Sequence, residues 1–322
     1  MLRPWLSLRP RLPLASISAL LVLLVTLLAP HARADALALM ASAPTTPPKG
    51  SLTFTASGGS GMGYVYAFQT NASGGTVDPA TGAYTAGPTG NVTDTLKVTD
   101  SDLNTATASV MVGAPVTLSP AAPNPAPRAS ITFVASGGFG SGWVFSFDTN
   151  ASGGSIDPAS GVYTAGATGS VVDKIRVVDP LGNAATANVT VKAGVSINPA
   201  APNPAPRASI NFTATGGSGA GYSYSYTTNA SGGSLVAATG AYTAGATGSV
   251  TDQVTVTDSL GNTATATISV KAGVSIAPLA PSRAPRGSVS FTASGGIGRS
   301  SGNKDIWSVV RRSSSKTSSV RA

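Results

Sequence analysis

The chain contains no cysteine, and its 12 acidic residues are all Asp. Its one histidine, His31, lies close to the N-terminus. The lack of cysteine excludes disulfides and thiolate chemistry. Beyond residue 31, without His, Cys or Glu, the usual general bases and zinc ligands are missing too. Charged residues make up 10% and aromatics 6%. No segment carries an apolar 3.6-residue period of useful length, so helices are not expected. What the chain has in quantity is turn and strand material: Gly 38, Pro 23 and much Thr, Ser and Val. That composition suits short strands joined by many turns. Disorder is the competing reading of so much Gly and Pro, and 42% hydrophobic content with regular alternation stands against it.

The sequence repeats itself. The phrase NASGG begins at Asn71, Asn150 and Asn229, a constant step of 79. Asp94, Asp173 and Asp252 keep that step, as do Tyr84, Tyr163 and Tyr242. A fixed period without insertions marks one structural unit copied in tandem. The expected organisation is a leader over 1–34 and repeats over 35–115, 116–194 and 195–273. A broken fourth copy over 274–298 and a basic tail over 299–322 complete it.

Each copy reads as about seven short strands. An opening apolar strand (Val195-Ser196-Ile197 in the third copy) leads into a proline passage, Pro199 to Arg207. Proline cannot donate to a ladder, so this passage is expected at an edge or between sheets. Next, Ile210, Phe212 and Ala214 alternate with polar residues, as in a half-buried strand. An aromatic strand follows a glycine turn: Tyr64, Tyr66 and Phe68; Trp143, Phe145 and Phe147; Tyr222, Tyr224 and Tyr226. It is expected to be a central core strand. The alternative is a stacking platform for sugar or peptide, with Trp143, Tyr222 and Tyr224 as the candidate ligand-stacking residues. Exchange of Phe for Tyr between copies favours the core. The tyrosine of each G-x-Y-T-A-G phrase is expected to be buried, with a partner for its hydroxyl. Two closing strands are joined by the turn Asp258-Ser259-Leu260-Gly261-Asn262. The expected fold class is therefore all-β, in tandem immunoglobulin-like β-sandwiches.

The YTAG phrase, the D-x-V-x-V-x-D strand and the closing GN-x-A-T-A strand resemble the bacterial Ig-like (Big-type) repeats of exported surface proteins. Such repeats occur in long myxobacterial surface proteins, and the invasin and intimin stalks are more distant relatives. The resemblance spans 37–273. It implies the fold and says little about a ligand, because one scaffold hosts many roles.

Residues 1–34 read as a signal peptide. Arg3, Arg9 and Arg11 precede an apolar run from Leu14 to Ala29, and Ala32-Arg33-Ala34 suits cleavage after Ala34. The apolar run is shorter than the ~20 residues needed to span a bilayer, and no other run approaches that length. The net charge of +8 sits in the ends: residues 35–298 hold ten basic and eleven acidic residues. That near-neutral body offers no footprint for nucleic acid. The fourth copy loses the repeat pattern after Gly298, which reads as the broken end of a longer array with Val289 and Phe291 left exposed. The recurrent aspartates, Asp94/Asp100 and their copies, sit six residues apart across one strand, or roughly 20 Å. They cannot share one bond or ion, and turn closure at strand ends is their expected role. Calcium at a repeat junction is the one cofactor to weigh, and otherwise none is expected. The expected function is an exported, extracellular or cell-surface spacer or adhesive stalk without enzymatic activity. Its partners would be a cell-surface protein or polysaccharide. The alternative is a polysaccharide-binding array that uses the aromatic strand.

Overall fold

The structure is a computed structural model that describes residues 35–282 and 288–295. It falls into two compact units that part between Pro115 and Val116. The described residues contain strands and turns and no helix.

The first unit is a two-sheet sandwich. One sheet orders the strands Ala38–Ala41, Ser51–Ser57, Ala83–Thr85 and Thr76–Val77. The other orders Thr45–Thr46, Thr105–Val112, Val92–Thr99 and Val65–Thr70. The alternating pattern decides what fills the space between them. Phe54, Leu96, Val98 and Val112 are fully buried, with Tyr84 and Val110 almost so. Their neighbours along each strand face outward, as a period of two requires.

The second unit contains two further sandwiches with separate cores. One is built on Phe133, Tyr163, Ile175 and Val189, the other on Phe212, Tyr242, Val254 and Ile268. Here the strand that is continuous over Ser51–Ser57 is interrupted by a single residue. In the second repeat Ser130–Thr132 pairs with Val162–Thr164, while Val134–Ser136 pairs with Thr117–Ser119. Phe133 lies between and drives its ring into the core, its amide donating to the Gly161 carbonyl at 2.9 Å. The expected seven strands thus become eight short elements in each repeat, in an immunoglobulin-like β-sandwich.

The proline passage runs beside the closing strand. It has a carbonyl at every residue but no N–H at its four prolines, and the closing strand supplies the donors. Thr267, Ser269 and Lys271 donate to the carbonyls of Ala200, Pro202 and Pro204 at 2.8–3.0 Å. In the first unit Met111 and Gly113 donate likewise to Pro44 and Thr46. The passage satisfies the outer edge of the closing strand without offering an edge of its own, which blunts strand-to-strand association.

The aromatic strand differs from its expected place. It is an edge strand: Ser223–Thr228 pairs only with Val250–Thr257, and its copies Val65–Thr70 and Val144–Thr149 do the same. The core position was inferred from ring content, and the rings do face the core. They do so from the rim of a sheet, because one buried face is enough to demand large apolar side chains.

In the fourth copy Ser275–Ala277 pairs with Thr292–Ser294. Val274, Ile276 and Leu279 are exposed, whereas Val289 and Phe291, expected to be exposed, are half-buried. Arg283, Arg286 and the basic tail lie outside the described residues, as does Ala34 with the leader.

One turn departs from its copies. Leu103 has φ 64° and is 81% exposed, where the second and third repeats have Gly182 and Gly261 at φ 76° and 77°. A branched side chain in the left-handed region costs ~1–2 kcal/mol, partly offset by the entropy that glycine loses on folding. Leu103→Gly is therefore expected to stabilise the first unit by about 0.5–1 kcal/mol. Denaturant unfolding measures it, and a lower midpoint would contradict the strain assigned to this turn.

Candidate functional site

Three phrases far apart in sequence meet at one carboxylate. Asp252 is the third residue of the strand Val250–Thr257 and points inward, with no exposed surface. Its Oδ1 accepts the Ser231 amide at 2.8 Å. Its Oδ2 accepts the hydroxyls of Ser231 and Tyr242, the latter at 2.7 Å. The Ser231 hydroxyl in turn accepts the Gly245 amide at 2.9 Å. Asn229 brackets the same loop by hydrogen bonds to both the N–H and the carbonyl of Gly233. The NASGG loop, the YTAG tyrosine and the aspartate strand are thus tied at one point. Asp94 with Ser73 and Tyr84, and Asp173 with Ser152 and Tyr163, repeat the arrangement. Rings pack edge-on around it: Phe212 and Tyr226 lie 5.9 and 6.2 Å from Tyr242, centre to centre.

Burial by itself would push these carboxyls up. Hydrogen bonds from the serine, the tyrosine and the serine amide outweigh it and hold Asp94, Asp173 and Asp252 below the ordinary range. Burial, aided by the hydrogen bond to the neighbouring carboxylate, pushes Tyr84, Tyr163 and Tyr242 up. Burial also raises Tyr226 to about 12, and its buried hydroxyl has no partner. A charged and fully enclosed carboxylate cannot take a proton from a substrate it never meets. Turn closure at a strand end, expected for both aspartates of each pair, is therefore corrected for this one: it is a core residue. Sequence reasoning missed the serine. The only signal was its constant spacing of 21 from the aspartate.

The second aspartate of each pair does close turns, at one pole of the sandwich. Asp258 accepts the amides of Leu260 and Asn262 with Oδ1. With Oδ2 it accepts the Ser218 amide at 2.6 Å and the Asn262 side-chain amide at 2.9 Å. One carboxylate thereby joins the last hairpin to the glycine turn. Burial works against ionisation here too, but Asn262 and the backbone donors bring Asp258 down to about 2. Asp100, held most strongly by Asn104, also falls to about 2. A Cβ at Gly217, which has φ 58°, would collide with Asp258 Oδ2, so the turn can approach the carboxylate only with glycine there.

The candidate stacking residues are not gathered in one place. Tyr224 is buried in the third core, and Tyr222 packs half-buried beside it, its hydroxyl donating to the Gly216 carbonyl at 2.7 Å. Trp143 packs half-buried against the second core, and its Nε1 is buried without a partner where Tyr222 has that hydrogen bond. The outward positions of these strands carry Val144, Ser146, Ser223 and Ser225, which present no ring. In the first unit Asp35, Leu37, Gly59, Asp102 and Asn104 line an open cleft of about 470 Å³. Among the described residues no group of three or more metal-ligating side chains comes together.

No family model and no curated protein matches this chain. Among solved structures it is similar to cadherin domains 3–6 of protocadherin gamma B2, at 15% identity and a TM-score of 0.23, covering 75% of this chain and 76% of that one. It is also similar to a C-terminal fragment of intimin solved with the intimin-binding domain of the translocated intimin receptor. That match has 18% identity and a TM-score of 0.30, covering 50% of this chain and 65% of that one. The eight N-terminal Ig domains of Down syndrome cell adhesion molecule match at 14% identity and a TM-score of 0.26, covering 80% and 39%. The fold assignment rests on the strand pairing described above.

Two outcomes follow from the buried cluster. Tyr242→Phe removes a hydrogen bond to a charged acceptor and is expected to cost about 1.5–3 kcal/mol of stability. Differential scanning calorimetry measures it, and a neutral effect would show that the cluster does not hold the sandwich. The second outcome is a stability plateau bounded on both sides. The aspartates are held low, so their contribution is complete above their unfolded value of about 4 and is lost as pH falls toward about 2. The tyrosines are raised, so theirs is complete below an unfolded value of about 10 and is lost above it. Unfolding midpoints measured from pH 2 to 11 test this, and a maximum confined to one side would contradict it.

Proposed function

We propose that the chain is an exported, non-enzymatic repeat protein in which the Ig-like sandwiches serve as a spacer or adhesive stalk at the cell surface. The observation that carries this reading is the state of the recurrent carboxylates. In each repeat one aspartate is enclosed and held by Ser and Tyr, and the other is occupied by four N–H donors of its own turns. These acidic groups serve the fold and leave no lone pairs facing a substrate or an ion. The near-neutral body and the signal-like leader fit export without a nucleic-acid partner. The repeats would act by distance and surface, and a contact partner would be a cell-surface protein or polysaccharide. Calcium is not required on this reading, since carboxylates filled by N–H donors have nothing to give a cation.

The test uses the full chain with Trp5 and Trp307 replaced by Phe, so that Trp143 alone reports. Titration with neutral and acidic polysaccharides is expected to leave its fluorescence unchanged, and millimolar calcium is expected to leave the melting temperature unchanged. A saturable fluorescence shift would favour a polysaccharide-binding array acting through the aromatic strand. A large rise in melting temperature with calcium would overturn the metal-free reading, because a ligand stabilises the state it binds.

A further inference from the structure

The second and third repeats belong to one compact unit, and hydrogen bonds cross between them. Asn262, at the tip of the last hairpin, is only 5% exposed, whereas its copy Asn104 in the first repeat is exposed. An Asn side-chain amide has two N–H donors. One goes to Asp258 at 2.9 Å, within the hairpin. The other reaches out of the repeat to the carbonyl of Pro127 at 3.1 Å.

Pro127 is shaped to receive it. Residues 126–129 form a turn in which the Ala129 amide donates to the Ala126 carbonyl at 3.1 Å and Arg128 has φ 65°. Proline second and a positive φ third are the marks of a type II turn, whose central carbonyl takes no part in the turn hydrogen bond. That carbonyl is the one Asn262 takes. Pro125 and Pro127 are buried, while their copies Pro204 and Pro206 in the third repeat are half-buried. The segment between the repeats is tied from both sides. Lys192 donates to Pro125 and its carbonyl accepts the Ser170 amide, both within the second repeat. The carbonyl of the next residue, Ala193, accepts the Gly217 amide of the third repeat at 2.9 Å. Consecutive residues are thus committed to opposite sides, which leaves no free linker.

We infer that Asn262 latches the pole of the third repeat onto the proline turn of the second, fixing the angle between them without a metal ion. Asp258 holds the latch in position, since it orients Asn262 and ties the Gly217 turn to the same hairpin. This surface is a recognition site for a neighbouring repeat of the same kind, and its geometry is testable independently of what the chain binds.

The absence of cysteine makes site-specific labelling simple. Ser146→Cys and Ser225→Cys place spin labels on exposed positions of the second and third repeats. Double electron–electron resonance on the full chain is expected to give one narrow distance peak, without added calcium. Asn262→Ala is expected to broaden it. Asn104→Ala loses the same Asn–Asp pair in the first repeat and serves as the control, expected to leave the peak unchanged. A broad distribution before any latch substitution would overturn the inference. So would a peak that Asn262→Ala leaves narrow, or one that Asn104→Ala broadens equally.

Discussion

Each sandwich depends on a negative charge buried where no water reaches it. A carboxylate in a protein core costs several kcal/mol unless hydrogen bonds replace its hydration. Asp94, Asp173 and Asp252 obtain that replacement from one amide and two hydroxyls, supplied by a loop and a strand remote in sequence. The requirement makes the three segments interdependent: withdraw the serine loop or the tyrosine strand and the carboxylate is left with an unsatisfied charge. This interdependence explains why the loop, the tyrosine strand and the aspartate strand carry fixed phrases, while the surface between them varies. It also places the tyrosine ring where the edge-on aromatic contacts can form.

The same economy governs the sandwich margins. A proline passage supplies carbonyls to the closing strand, so an edge that could pair with another chain is filled by a segment that cannot extend the sheet. At the pole, one aspartate organises two turns, and in the third repeat the asparagine it orients reaches the second. Amide and hydroxyl donors hold the two recurrent carboxylates of each repeat. A protein poor in charge and lacking cysteine thereby fixes both its sandwiches and a junction with the backbone and a few short polar side chains.

Much of this was legible in the residues. The 79-residue step identified the unit, and alternation at Ile210, Phe212 and Ala214 identified a half-buried strand. The demand that Tyr242 have a hydroxyl partner was legible too, because a buried phenol without one is costly. The partner was not: it stands ten residues away on a strand of the other sheet, and only the packing of the two sheets face to face brings them together. The aromatic strand misled for a related reason. Ring content reports how deeply one face is buried, and a strand at the rim of a sheet can bury one face as fully as a central strand does.

The sequence by itself determined the repeat, the all-β class, the turn positions, and a chain without cysteine or glutamate and without histidine beyond residue 31. These follow from composition, spacing and local backbone preference, all properties of neighbouring residues. Tertiary structure decided the fate of the polar groups. It separated two aspartates six residues apart into a core residue and a turn residue, turned Tyr224 inward, and set Asn262 against Pro127 across a repeat boundary. The reason is physical: the cost of a buried charge or an open carbonyl depends on which distant donors arrive beside it, and only the folded chain brings them there.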